Sequence, residues 1–360
     1  MKVAIIHYWL VGMRGGEKVV QELCKIYPQA DIYTHAYNPK EISDTINKHN
    51  IKTTFIQNLP FAQKKYQSYL PFMPLALEQL DLRGYDLVIS SESGPSKGVI
   101  TDPNSLHLCY CHSPMRYIWD MYQDYFQNAG YIKKLLMVPL THYLRTWDVS
   151  SSNRVDQFVA NSSFIQKRIR KFYRREAQII HPPVNTNDFS VSSENEDFYL
   201  MVGQLVDYKR TDLAVKAFNK LNKKLVIIGA GDQLKLLKSI AKNNVEILGY
   251  QKFDVIKDHY SKCKAVIFPG VEDFGMVPIE AMASGKPVIA YGKGGALDYV
   301  MNKKNGILFN EQTIQSLQEA IQRFEDEGID FSPEEIKAFS EKFSAHEFRR
   351  KFIDLVEMKL

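Results

Sequence analysis

Four cysteines in 360 residues are too few to staple a fold. Cys109 and Cys111 lie two apart on one strand face, where a bond between them would be strained, and Cys24 and Cys263 stand alone. A CxC pair can ligate metal, but no second pair completes such a site, so the four read as buried free thiols in a reducing compartment. No apolar run approaches the roughly 20 residues that a membrane-spanning helix needs. The opening MKVAIIHYWL has no long apolar stretch and no small-residue cleavage site of a secretory leader. The expectation is a cytoplasmic protein, free or peripheral at the inner face of the cell membrane. Neither HExxH, nor GxSxG, nor a P-loop occurs, which removes the zinc-protease, serine-hydrolase and P-loop NTPase readings. Also missing is any Asp-x-Asp pair of the kind that holds a divalent cation on a diphosphate.

What remains is an ordinary globular composition, 45% hydrophobic and 24% charged, long enough for two domains. The net charge of +5 is mild and gives no reason to expect nucleic acid as a partner. Its distribution is uneven: residues 1–183 hold 22 Lys/Arg against 15 Asp/Glu, and the remainder 24 against 26.

Apolar strands alternate with amphipathic helices almost throughout, which implies parallel sheets covered on both faces. In the first half strands are expected at 2–8, 31–36, 53–56, 86–90, 107–111, 157–161 and 178–181, with helices near 17–26, 61–80 and 162–173. The scheme restarts with strands at 198–202, 224–228, 245–248, 265–268, 287–290 and 306–309, and a late helix covers 347–359. Between the halves, HPPVNTNDFSVSSENED has two prolines and no apolar period, so it reads as a linker.

Parallel sheets bind ligands at the carboxyl ends of their strands, so those loops matter most. After the first strand, Gly15 and Gly16 open a helix; they suit either a tight turn or a loop whose amides approach an anion. Gly229-Ala-Gly231 begins a dinucleotide fingerprint but lacks its third glycine, since position 234 is Leu. Lys209 and Arg210 stand before a helix, either as a phosphate clamp or as a solvated basic pair. The richest stretch is FPGVEDFGMVPIEAMASGKPVIAYGKGG, where Pro278 and Gly285 bracket a helix over 278–284. Glu272 falls in the loop and Glu280 in the first turn. Phe274, Gly275, Met276 and Val277 between them offer consecutive backbone amides. Such a loop can hold a diphosphate at the amides and sugar hydroxyls at the carboxylates; it can equally be a capped helix with an exposed acid.

Glu272 and Glu280 with Phe-Gly between them resemble the E-x7-E motif of retaining glycosyltransferases of family 4, which have the GT-B fold. Nearly the whole chain shares the resemblance. Gly15-Gly16-x-Glu matches the family's glycine loop, His112 in CYCHSP its cleft histidine, FVANSSFIQKRI its middle segment and Lys209 in VDYKR its phosphate-binding lysine. The resemblance implies two Rossmann-like domains whose parallel sheets face a central cleft. Residues 1–183, joined by a C-terminal helix at 344–360, would hold the acceptor, and residues 184–343 the nucleotide sugar. Glu280 would take the ribose, Glu272 the donor sugar, and Gly249, Tyr250 and Gln251 would lie beside the base. One position departs from the pattern: the family usually has arginine where this chain has Gln204, which removes a charge from the phosphate clamp, and Arg210 is the candidate to replace it.

The implied reaction is sugar transfer with retention, mannose from GDP-mannose, to a glycan or lipid-linked acceptor in surface polysaccharide synthesis. The departing diphosphate would be met by Lys209, Arg210 and backbone amides without a metal or other cofactor, and His112 would bind sugar or position the acceptor. Two rivals share the architecture: a nucleotide-sugar epimerase, and a catalytically inactive nucleotide-sugar-binding protein. The segments FAQKKYQSYLPFMPLALEQL and YIKKLLMVPLTHYLRTW mix lysines with large apolar residues, as segments do that rest on an anionic membrane or, equally, that pack on a sheet.

Overall fold

The computed structural model describes residues 1–127 and 129–360. The chain divides into two units, Met1–Pro182 with Phe348–Leu360, and Pro183–Glu347.

The first unit holds Val3–His7 (β1), Asp31–Thr34 (β2), Asn50–Thr53 (β3), Leu87–Glu92 (β4), Leu106–Cys111 (β5), Gln157–Ala160 (β6) and Ala177–Ile179 (β7). They form one sheet in the order β3-β2-β1-β4-β5-β6-β7, every pair parallel. Such strands are buried on both faces, so β1 and β4 are apolar or small at nearly every position rather than alternating. Ile5 faces a core with Val19 and Leu23 of helix Gly15–Ile26 and Phe348, Phe352 and Leu355 of helix Ala345–Lys359. Ala4 and Ile6 face the other layer, with Leu77, Leu144 and Trp147. The four cysteines are buried and free.

The second unit holds Tyr199–Val202 (β8), Leu225–Ile228 (β9), Val245–Gly249 (β10), Val266–Phe268 (β11), Val288–Tyr291 (β12) and Gly306–Phe309 (β13). Its sheet, again parallel throughout, runs β10-β9-β8-β11-β12-β13. Both sheets reverse their strand order beside the first strand, between β1 and β4 and between β8 and β11. That reversal leaves a crevice at the carboxyl ends of those strands, because the connecting helices leave to opposite faces there.

Two expected elements differ, and one long helix is additional. The strand expected at 53–56 lies at Asn50–Thr53, and Phe55–Asn58 is a 3-10 turn. β3 is an edge strand with no fully buried residue, so it carries no apolar pattern. The helix expected between Phe61 and Leu80 is broken into Ala62–Lys65, a 3-10 stretch Tyr66–Phe72 and Met73–Glu78, because Pro71 and Pro74 withdraw amide donors. Helix Tyr131–Ser152, absent from the expected elements, runs through Pro139.

Candidate functional site

Each unit gathers polar side chains at its reversal point. In the second, Gly203 follows β8 and the chain turns through Asp207–Lys209 into helix Thr211–Leu221. The Lys209 ammonium lies 3.0 Å from Glu272 Oε1, on the loop after β11, and both side chains keep some access to solvent (15% and 19%). Glycines make room for this lysine: a Cβ on Gly203 would stand 3.1 Å from Lys209 Nζ, and one on Gly270 2.8 Å from Lys209 Cα. Burial alone would lower the Lys209 pKa, but Glu272, with Tyr208 and Glu280 further off, outweighs it and raises the pKa above the usual lysine value. Lys209 is therefore a permanent cation paired with Glu272 and in the field of Glu280.

Glu280 lies in the first turn of helix Val277–Ala283, one residue ahead of the expected span at each end. Tyr260 donates its hydroxyl to Glu280 Oε2 at 3.1 Å; burial, then the charge of Glu280, raises the phenol's pKa well above its ordinary value, so it remains a donor. The loop between the two acids is braced from behind. The Phe274 ring is buried against Tyr299 and Phe343, and Tyr299 Oη donates to the Phe274 carbonyl at 2.7 Å. Only the backbone of Phe274 is left to meet a ligand. Gly275, with φ 85°, turns the chain into the helix, and Gly295 N–H donates to the Glu272 carbonyl at 2.9 Å. A Cβ on Gly295 would strike the Phe274 backbone, so the GKGG run exists to let two loops touch. Met276 and Val277 complete the turn into the helix.

Gln204 is exposed, and Arg210 pairs with Asp212 of its own helix at 3.3 Å, so this structure does not join Arg210 to the Lys209–Glu272 pair. Gly249 ends β10, two strands out from β8, and Tyr250 and Gln251 follow it; Gly249 is left-handed, Tyr250 is 81% exposed, and Gln251 donates to the Leu248 carbonyl at 3.0 Å. The Gly229-Ala-Gly231 glycines serve packing: a Cβ on either would meet the backbone of Gly203 or Leu205.

In the first unit the end of β1 meets the start of helix Gly15–Ile26. Gly16 lies against the rings of His7 and Tyr8, with its would-be Cβ 2.5 Å from Tyr8 Oη and 3.4 Å from His7 Cε1. Gly15 opens the helix behind Arg14, whose N–H donates to Glu17 Oε2 at 3.0 Å. His112, just past β5, is half-buried; its Nε2 lies 2.8 Å from Ser91 Oγ, and Ser91 Oγ lies 3.0 Å from His7 Nδ1. Burial, then the neighbouring His7, lowers the His112 pKa to about 3, so the ring is neutral at physiological pH. Beneath lies a buried ion triad in which Lys97 sits 3.2 Å from Glu92 and also binds Asp148. Glu92 accepts the Ser96 and Lys97 amides at 2.8 Å and so ties down the loop after β4.

Sequence reasoning missed Tyr260, Tyr299, His7, Ser91 and the Lys97 triad. Among these, the single available signal was charge in an apolar context: Glu92 and Lys97 flank SGPS at a strand end. Tyr260 and Tyr299 read as core aromatics.

Residues 13–188 match the family Glycosyltransferase Family 4, and residues 185–343 match Glycosyl transferases group 1. An uncharacterised glycosyltransferase of Methanocaldococcus jannaschii is 31% identical over 196 residues, 52% of this chain and 56% of its own. The alpha-1,3/1,6-mannosyltransferase ALG2 of Dictyostelium discoideum is 25% identical over 259 residues, 58% of this chain and 59% of its own. The O-antigen chain mannosyltransferase RfbU of Salmonella typhimurium is 29% identical over 164 residues, 41% of this chain and 45% of its own. The chain thus spans about half the length of these curated relatives. Among solved structures, Anabaena HepE in complex with UDP has a TM-score of 0.74 at 17% identity, covering 99% of this chain and 100% of that one, a likeness of fold.

Proposed function

The chain belongs to the family 4, group 1 glycosyltransferases, and from that premise we propose that it transfers mannose from GDP-mannose, with retention, to a lipid-linked glycan acceptor. The observation that carries the reading is the Lys209–Glu272 pair with Glu280 beside it at the β8/β11 reversal. One cation for a diphosphate between two acceptors for hydroxyls is what a nucleotide sugar needs. Mannose is supported by the two named mannosyltransferases among the relatives.

In the proposed reaction the bond from the anomeric carbon to the diphosphate breaks while the acceptor oxygen bonds to the same face of that carbon. The acceptor's proton passes to the departing phosphate oxygen. Lys209, with backbone amides of Phe274–Val277, takes up the charge that develops on the diphosphate, and no divalent metal is required. Glu272 holds hydroxyls of the donor sugar, Glu280 those of the ribose, and Gly249, Tyr250 and Gln251 border the base. Gln204 and Arg210 flank the clamp.

The membrane-borne acceptor is supported by the first unit's surface. Tyr131, Ile132, Leu135 and Leu136 are 64–84% exposed at the start of helix Tyr131–Ser152, around Lys133 and Lys134, and Phe61, Phe72 and Leu75 are exposed near Lys64 and Lys65. A cavity of about 200 Å³ lined by Trp9, Gln67, Leu70, Tyr117 and Tyr125 takes two of its walls from the 61–80 segment. Exposed apolar groups ringed by lysines suit an anionic lipid surface. Among the described residues no helix is long and apolar enough to cross a membrane.

A panel of nucleotide sugars tests the reading through thermal stabilisation and slow donor hydrolysis. GDP-mannose should stabilise most and release GDP; stabilisation by no nucleotide sugar would overturn it. Binding without transfer or hydrolysis would favour an inactive binding protein, and interconversion of sugars without an acceptor an epimerase.

A further inference from the structure

We propose that Glu17, His7 and Ser91 form a polar relay that fixes the tautomer of His112, so that His112 turns a bare Nδ1 toward its ligand and accepts a hydrogen bond there. The role given to His112's ligand rests on the glycosyltransferase reading; the tautomer itself concerns the protein alone.

Four side chains from separate elements make the relay. His7 ends β1, and Ser91 is its register partner on β4. His112 follows Cys111, which pairs with Glu92 on the next strand over. Glu17 comes from the first turn of helix Gly15–Ile26. His7, Ser91 and Glu17 are at most 2% exposed, so no bulk water competes for their protons. The links run 3.7 Å from Glu17 Oε1 to His7 Nε2, 3.0 Å from His7 Nδ1 to Ser91 Oγ, and 2.8 Å from Ser91 Oγ to His112 Nε2.

Ser91 has one hydroxyl proton. It can donate to one imidazole only and must accept from the other, so the two rings take opposite roles across it. Glu17 decides which. Its Oε2 is occupied by the Arg14 amide, and its Oε1 faces His7 Nε2, a buried nitrogen with no hydrogen-bond partner. A carboxylate repels a lone pair and attracts an N–H, so His7 carries its proton on Nε2. His7 Nδ1 is then bare and accepts from the Ser91 hydroxyl. Ser91 Oγ in turn accepts from His112 Nε2–H. The neutral His112 ring is left with its lone pair on Nδ1.

A bare Nδ1 accepts from a hydroxyl and offers nothing to an anion. His112 would therefore recognise a ligand hydroxyl that keeps its proton, as a sugar ring hydroxyl does, and would not act as an acid on a leaving phosphate. His7, Ser91 and Glu17 are positioning residues that act through it.

Selective 15N-histidine labelling of the full chain reads the tautomer directly near neutral pH, with the His112 signals assigned by their loss in His112→Asn. The expected pattern is an unprotonated, pyridine-type Nδ1 and a protonated, pyrrole-type Nε2. Ser91→Ala should move both His112 signals toward a mixture of tautomers, and Ser91→Thr, which keeps the hydroxyl, should restore the wild-type pattern. A pyridine-type Nε2 in the wild-type protein would overturn the proposal, because Ser91 would then donate to His112 and accept from His7 Nδ1–H, the reverse of the relay. Signals unmoved by Ser91→Ala would overturn it too. The readout needs no donor, so failure of every nucleotide sugar to bind would sink the proposed function and leave this result standing.

Discussion

Acidification should unfold this protein through three histidines held neutral in the first unit. His35 is buried with Nε2 3.2 Å from the Pro95 carbonyl and Nδ1 3.1 Å from Thr54 Oγ1. His107 is buried with Nδ1 2.9 Å from the Arg154 carbonyl and Nε2 2.9 Å from Ser90 Oγ. In each, the nitrogen facing a carbonyl carries the proton and the other accepts from a hydroxyl, so the neutral ring is already satisfied. Burial lowers the pKa of His35 and of His107 to about 4, and that of His112 to about 3. All three lie below the unfolded value near 6.5, so the unfolded chain binds more protons in this window. Stability is therefore complete about one pH unit above 6.5 and is lost as pH falls from there toward 4. Each histidine contributes about 2 kcal/mol of loss between about pH 7.5 and about pH 5, or about 6 kcal/mol together. That is a large part of an ordinary domain's stability. Urea denaturation at stepped pH measures it, and His35→Gln and His107→Gln should each remove about a third of the slope. A midpoint that stays flat over this range, or a slope that neither variant reduces, would refute the reasoning.

Lys97→Met should destabilise the first unit by about 3–5 kcal/mol, because it strands Glu92 and Asp148 without their shared cation. Arg83→Ala, at an ion pair whose side chains are 84% and 62% exposed, should leave the urea midpoint unchanged in the same titrations, because solvent screens the pair. Gly295→Ala should keep the fold, by circular dichroism, but push the Phe274 backbone and the Glu272 loop aside and abolish stabilisation by nucleotide sugars. Leu135→Glu with Leu136→Glu should release the protein from anionic liposomes that bind the wild type at low salt; equal binding of both would count against the membrane surface.

The strands were legible because parallel sheets bury both faces, so VAIIH, LVII and VIAY stand out as short apolar runs between turn residues. β3 was misplaced because its NIKT buries no residue fully. Helix Tyr131–Ser152 escaped because its first two turns expose their apolar residues, so burial imposes no period on them, and Pro139 looks like a terminator. Within the candidate site, Glu272, Glu280 and Lys209 were legible as a spaced motif. What holds them was not. Tyr260 and Glu280 are 20 residues apart, and His7 and Ser91 are 84 apart, joined only by strand register. Gln204 and Arg210 show a further limit: a missing charge is visible in a sequence, but where its neighbour points is decided by Asp212.

Calorimetric titration of GDP and of GDP-mannose into the wild type, Glu272→Gln and Glu280→Gln tests the proposed division of labour most directly. If Glu272 holds the sugar, Glu272→Gln should bind GDP as the wild type does and lose about 10- to 100-fold in affinity for GDP-mannose, the worth of a charged hydrogen bond. Glu280→Gln, facing the ribose, should weaken both ligands together. Equal and small effects from the two substitutions, or no binding of either ligand to the wild-type protein, would contradict the account.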